Sequence, residues 1–148
     1  MKLTQRATIA APIDRAWALL MDLKRAAACV PGVKGLIEVA PDRYRGSLPL
    51  QVGPVRLSLE GELAVASRDD AAQRATFRAE AKDARLGGSV RATIEIALAE
   101  VASGCELRVD GDVIIAGRIG EFGQPVIKRK ADQLLAQMTE CLGRMAAS

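Results

Sequence analysis

From Val33 to Ala116 the apolar residues of this chain fall at every second position, and that single feature restricts the fold more than any other. Val33, Gly35, Ile37 and Val39 alternate with Lys34, Leu36 and Glu38. Tyr44, Gly46, Leu48, Leu50 and Val52 alternate with Arg45, Ser47, Pro49 and Gln51. Leu57, Leu59, Gly61, Leu63 and Val65 alternate with Arg56, Ser58, Glu60 and Glu62. Ala75, Phe77, Ala79 and Ala81 alternate with Arg74, Thr76, Arg78 and Glu80. Ala92, Ile94, Ile96 and Leu98 alternate with Arg91, Thr93 and Glu95. Leu107, Val109, Gly111, Val113 and Ile115 alternate with Glu106, Arg108, Asp110 and Asp112. Side chains two apart share one face of a pleated strand, so each run predicts a strand with a dry and a wet face. Pro41-Asp42, Gly53-Pro54, Asp69-Asp70, Gly87-Gly88 and Ser103-Gly104 supply turns between them. Consecutive strands with short connections make an antiparallel sheet.

Both flanks of this region differ. Leu3, Ala7 and Ile9 alternate with Lys2, Thr4, Arg6 and Thr8, which predicts one more strand. Pro12, with Asp14 in the first turn, then opens a short helix carrying Trp17, Leu20 and Met21; a second runs from Leu23 to Val30 and stops at Pro31-Gly32. After Gly123-Gln124-Pro125, Val126, Ile127, Ala131, Leu134, Leu135, Met138, Leu142 and Met145 form a stripe at helical spacing. A helix of about 22 residues is about 33 Å long. Only the dry face of the sheet is large enough to bury its stripe. The expectation is an α+β fold: a seven-stranded curved antiparallel sheet around a long C-terminal helix, with two short helices after the first strand. No repeat, linker or low-complexity tract divides residues 1–148, so the chain is read as a single domain.

Several function classes are excluded at this level. There is no histidine, which removes Ser-His-Asp and Cys-His catalysis and histidine zinc sites. Net charge is +3, with 21 basic and 18 acidic residues interspersed. The densest basic cluster, Lys128-Arg129-Lys130, has no aromatic residue near it, so no nucleic-acid partner is expected. The N-terminus has no apolar run of signal-peptide length, and no segment is long enough to span a membrane. Cys29, Cys105 and Cys141 are odd in number and widely spaced, which reads as free, buried thiols in a reducing compartment. Asp110 and Asp112 point to the polar face of one strand and read as solvated carboxylates, not a catalytic or calcium pair. No catalytic residue, metal ligand or cofactor is assigned.

The small residues carry the functional signal. Gly35, Gly46, Gly61, Ala75, Ala79, Ala81, Ala92 and Gly111 are placed on the dry face. Either the helix packs close upon them or they leave an apolar cavity, and their number favours the cavity. Its expected lining is Leu48, Leu59, Leu63, Phe77, Ile94, Ile96, Val109, Val113, Leu134, Leu135 and Met138, with Tyr44 as almost the only polar group. Gly117, Gly120 and Gly123, with Phe122, lack the Lys-Ser/Thr of a phosphate loop and read as a flexible entrance loop under the last helix.

The element order resembles the helix-grip fold of the START and birch-pollen-allergen (SRPBCC) superfamily. Cys29-Val30-Pro31-Gly32, Val52-Gly53-Pro54-Val55 and Gly117-Arg118-Ile119-Gly120-Glu121-Phe122-Gly123, with Met1-Lys2-Leu3-Thr4 and Ala11-Pro12, resemble the G subunit (CoxG) family of aerobic carbon monoxide dehydrogenase. The resemblance covers essentially the whole chain. It implies a non-catalytic accessory protein that binds a hydrophobic, lipid-like or quinone-like molecule and assists assembly or membrane recruitment of a molybdenum hydroxylase. It also implies a cytoplasmic location, with at most peripheral contact at the inner face of the membrane. A polyketide-cyclase-like enzyme and a stand-alone lipid carrier are the alternatives on the same fold. Many relatives continue into an apolar tail; this chain ends at Ala146-Ala147-Ser148, so anchoring through such a tail is not expected.

Overall fold

The computed structural model describes residues 1–147; Ser148 lies outside the described residues. Strand β1 (Lys2–Ile9) ends before Pro12, which starts helix α1 (Ile13–Met21). The Asp22 side chain accepts a hydrogen bond from the Arg25 N–H and so caps helix α2 (Leu23–Ala26). A 3-10 turn, Ala27–Cys29, brings the chain to Pro31. The strands β2 (Lys34–Ala40), β3 (Arg43–Val52), β4 (Val55–Asp69), β5 (Arg74–Lys82), β6 (Ser89–Val101) and β7 (Gly104–Ala116) follow. A 3-10 helix, Gly117–Phe122, leads into α3 (Gln124–Ala147).

All pairings are antiparallel, in the order β1-β7-β6-β5-β4-β3-β2. β1 and β2 are therefore opposite edges, and α1 and α2 carry the chain across one end of the sheet. α3 lies along β1, with α1 and the Ala27–Cys29 turn against it. The core gathers at the end of the sheet that α1 crosses: Ile9, Trp17, Leu20, Phe77, Ile96, Leu107 and Leu142 belong to one buried cluster. The expected seven strands, short helices and long final helix are all present.

The two halves of α3 differ in burial. Its fully buried residues are Thr139, Leu142 and Ala146, all near its C-terminal end. Leu134, Leu135 and Met138 are half-buried and Val126 is exposed. The stripe read from spacing is thus gripped at one end only.

Four expectations need correction. First, the cysteines are not all free: Cys29 and Cys141 form a disulfide, with Cα atoms 5.4 Å apart, and only Cys105 is a free, buried thiol. The partners are 112 residues apart, and the crossover that brings the Ala27–Cys29 turn against α3 is invisible in their spacing. The cysteine argument for a reducing compartment falls with this pairing. Second, Ile37 and Val39 are 56% and 42% exposed, whereas Leu36 packs against the core. The β2–β3 register shifts between Lys34/Ile37 and between Glu38/Ala40, and such bulges turn side chains to the other face. Third, some small residues serve the backbone and leave no space. Gly35 is exposed with φ +62° at the first bulge. A Cβ on Gly61 would collide with the Glu80 carbonyl oxygen and lie 2.6 Å from Ala81 Cα, so glycine permits β4 to approach β5. At Gly46 a Cβ would meet Leu36 Cδ1 at 3.2 Å, so β2 covers that position. Fourth, Gly117 to Phe122 is a 3-10 helix with Ile119 buried, where an irregular loop was expected.

Candidate functional site: the space between sheet and helix

One end of the grip is tied shut. Trp17 Nε1 donates to Asp70 Oδ1 at 2.9 Å, and Gln73 Nε2 donates to Asp14 Oδ1 at 3.0 Å. Together these hold the β4–β5 turn to α1. Arg15 donates to the Ala146 carbonyl at 3.4 Å, and the disulfide joins α3 to the turn after α2. Three of the expected lining residues, Phe77, Ile96 and Val109, lie in the buried cluster at this end.

The other expected lining residues share the same face but are packed less completely. Leu48, Leu59, Leu63, Ile94, Val113, Leu134, Leu135 and Met138 are all half-buried. Leu48 pairs with Leu59, and Leu63 with Ala79; Ala79 pairs with Ala92, and Ala92 with Val113. Alanines at the middle of this cross-strand row keep the floor low between two larger walls. Ala79, Ala81 and Ala92 are half-buried, so each still meets space that water can reach. The surface these residues offer is apolar.

Tyr44 is a polar side chain on the inward phase of β3. It is buried and pairs with Leu63. Burial, and then the neighbouring Glu38 carboxylate, push its phenol above the usual tyrosine range, so it stays protonated. Gln5 was missed by sequence reasoning. It pairs with Val109, between Leu3 and Ala7 on the inward phase of β1, is half-buried, and borders a concavity between β1 and α3. Its odd-numbered position was the available signal. A phenol and an amide can orient a carbonyl by hydrogen bonding. Neither is a strong base or an activated nucleophile.

The rim at the open end is built from two turns. Asp83 is buried and its carboxylate accepts from the N–H groups of Ser58, Arg85 and Leu86 at 2.7–2.8 Å. These bonds, from Leu86 first and Ser58 next, hold its carboxyl below the ordinary range. Gly117, at φ +78°, approaches so closely that a Cβ would lie 2.6 Å from Gly88 Cα. Phe122 and Gly123 are half-buried beside this contact, and Gly120 is exposed. On the convex face, Asp110 accepts from Arg108 and Thr4, and Asp112 from Lys2, which lowers both carboxyl pKa values. They are surface pairing groups. Among the described residues, no three His, Cys, Asp or Glu side chains are grouped to hold a metal, and no helix is long and apolar enough to cross a membrane.

Comparison with solved structures identifies the fold. A conserved protein from Geobacillus kaustophilus superposes with a TM-score of 0.89 at 18% identity, covering 99% of this chain and 95% of that one. The Zhui aromatase/cyclase from Streptomyces sp. R1128 gives 0.71 at 15% identity, covering 99% and 93%. A START superfamily protein from Mycobacterium smegmatis gives 0.70 at 13% identity, covering 98% and 96%. No curated protein matches the sequence. The family model for the carbon monoxide dehydrogenase G subunit (CoxG) matches residues 6–147. Strand order, long final helix and whole-length sequence pattern agree, and the chain belongs to the carbon monoxide dehydrogenase CoxG family on a START-type fold.

Proposed function

We propose that the chain is a non-catalytic accessory protein that holds a hydrophobic, lipid-like or quinone-like molecule between the sheet and α3, and that it serves assembly or membrane recruitment of a molybdenum hydroxylase. One observation carries the reading: Leu48, Leu59, Leu63, Ile94 and Val113 on the inner face and Leu134, Leu135 and Met138 on α3 are only half-buried, while the end crossed by α1 holds the fully buried cluster. Sites for small apolar molecules are concave, mostly apolar and furnished with a few polar groups, a role that falls to Tyr44. Family membership supports the accessory role. The likeness to an aromatase/cyclase is one of fold, at 15% identity. Lys128, Arg129 and Lys130, close in sequence to Phe122, are assigned the contact with an anionic membrane surface.

Native mass spectrometry of the purified chain, followed by solvent extraction, tests the reading. The expected result is a small apolar molecule retained by the folded chain, or taken up from an added isoprenoid quinone. Ala79→Leu is expected to keep the fold and weaken retention by filling the floor. Failure of the unsubstituted chain both to retain a molecule and to take up the quinone would sink the proposal.

A further inference from the structure

A second concavity, of about 500 Å³, lies between β1 and α3. Gln5, Arg6 and Ala7 line one side, and Ala136, Gly143 and the Glu140–Arg144 ion pair the other. The free edge of β1 borders it. Met1 and Val113 exchange backbone hydrogen bonds, the Val113 N–H donating to the Met1 carbonyl at 2.8 Å and the Met1 amine to the Val113 carbonyl at 2.9 Å. Bonded pairs alternate along an antiparallel ladder. Leu3, Gln5, Ala7 and Ile9 therefore bond to β7, while Thr4, Arg6 and Thr8 turn their N–H and C=O groups outward. These outward groups have no partner among the described residues.

The two edges of the sheet are not equivalent. β2 is broken by two register shifts and by Gly35 at φ +62°, devices that blunt an edge. β1 runs without a shift from Lys2 to Ile9, contains no proline, and presents a regular template. Its convex-face residues are Lys2, Thr4, Arg6 and Thr8, with no acid among them. Arg6 pairs with Arg108, whose guanidinium already bonds Asp110, and Arg6 itself has no ion pair among the described residues. A second copy of β1 added antiparallel offers Arg6 no acid: it would face Thr4, Lys2 or another Arg6 according to the register. A strand bearing an acid on that face meets Arg6 favourably, while Lys2 is already held by Asp112. The alternate, inward side chains of that strand would fall between β1 and α3, where Ala7, Ala136 and Gly143 leave room for apolar groups and Glu140 and Arg144 are paired to each other.

We propose that the β1 edge and α3 form a docking site for an extended segment of another protein, alternating acidic with apolar residues and added to the sheet beside β1. Thr4 to Thr8 spans about 13 Å of strand, enough for a segment of about five residues. The site is separate from the space between the sheet and α3 and stands without any assignment of the bound molecule.

The test is amide hydrogen exchange on isotope-labelled protein with two capped eight-residue peptides, one alternating valine with glutamate and one valine with lysine. The Thr4, Arg6 and Thr8 amides are expected to exchange about tenfold more slowly at a glutamate-peptide concentration of about ten times its Kd. Gln5 and Ala7 should stay unchanged, and the lysine peptide should have no effect. Arg6→Pro removes an edge donor that β7 does not use, so the fold should survive and peptide protection should vanish. Arg6→Glu keeps the edge and should transfer the response to the lysine peptide. No protection by the glutamate peptide, equal protection by both, or protection surviving Arg6→Pro in a folded chain would overturn the proposal. So would concentration-dependent protection of the same amides without peptide, which would put a second copy on the edge.

Discussion

Replacing Cys29 and Cys141 together by alanine removes the covalent tie between α3 and the turn after α2. The bridge spans a sequence separation of 112 residues. In the chain-entropy account a loop of that size restrains the unfolded ensemble by about 5 kcal/mol, and losing a native disulfide costs about 2–5 kcal/mol in small domains. The surroundings place this bridge toward the upper part of that range. Cys29 is buried, and its Sγ lies 3.2 Å from Met145 Sδ, so alanine also removes packed atoms. Leu142 and Ala146 still hold the helix, so the variant should fold. The expected loss is about 4 kcal/mol, read from urea unfolding of the variant and of the parent chain with and without a dithiol reductant. Thiol counting provides the independent check. Cys105 is fully buried and burial raises its thiol pKa, so the native chain should react slowly. The unfolded, unreduced chain should show one thiol, and the reduced chain three. Three thiols without reductant, or an unfolding midpoint indifferent to reductant, would refute the reasoning.

Gly61→Ala should destabilise the fold by about 1–3 kcal/mol, because β4 and β5 must separate to admit the methyl group; a thermal midpoint equal to the parent's would contradict the close approach. Leu142→Ala should cost about 2–5 kcal/mol, while Leu134→Ala, on the half-buried part of the same helix, should cost less than half as much; equal losses in urea unfolding would mean that both ends of α3 are gripped alike. Asp83 gives a pH signature. Its folded pKa lies below the ordinary 3.8, so its contribution is complete above that value and is lost as pH falls through the lower folded value. Asp83→Asn should therefore lower the melting temperature near neutral pH and flatten its decline below about pH 4, and an unchanged acid limb would remove the carboxylate from this role.

The strands were legible where one face is wet and the other dry. β5, β6 and β7 put Arg, Glu and Thr outward at every second residue, and their register keeps Phe77, Ile94, Ile96 and Val109 together on the inner face. β2 was not legible in the same way, because an edge strand is only partly covered. Leu36, Ile37 and Val39 are all apolar, and the bulges decide which of them faces in. Alternation also reveals a face without revealing depth along it. Phe77, Ile96 and Val109 share their phase with Leu48, Leu59 and Val113, yet the first three sit in the sealed core and the others toward the open end. Depth depends on where α1 crosses and how far α3 extends, and neither is a local property. The Cys29–Cys141 pairing escapes for the same reason, since proximity between residues 112 apart is set by topology.

The distribution of ties gives the molecule a direction. The Trp17–Asp70 and Gln73–Asp14 hydrogen bonds, the Arg15–Ala146 contact and the disulfide all act at one end of α3 or on the turns beside it. Its other end follows a 3-10 helix anchored through Ile119, and its residues Leu134, Leu135 and Met138 are only half-buried. Local opening begins where buried apolar contacts are fewest. A molecule entering between sheet and helix would therefore displace residues near Leu134 and Met138 while Leu142 and Ala146 stay in place. The outer concavity beside β1 reaches the fixed part of the helix, at Gly143 and Ala147. A strand docked there would brace α3 from Ala136 to Ala147, mostly on its anchored side. Binding of a partner segment and exchange of an internal molecule could then proceed on one chain without competing for the same surface.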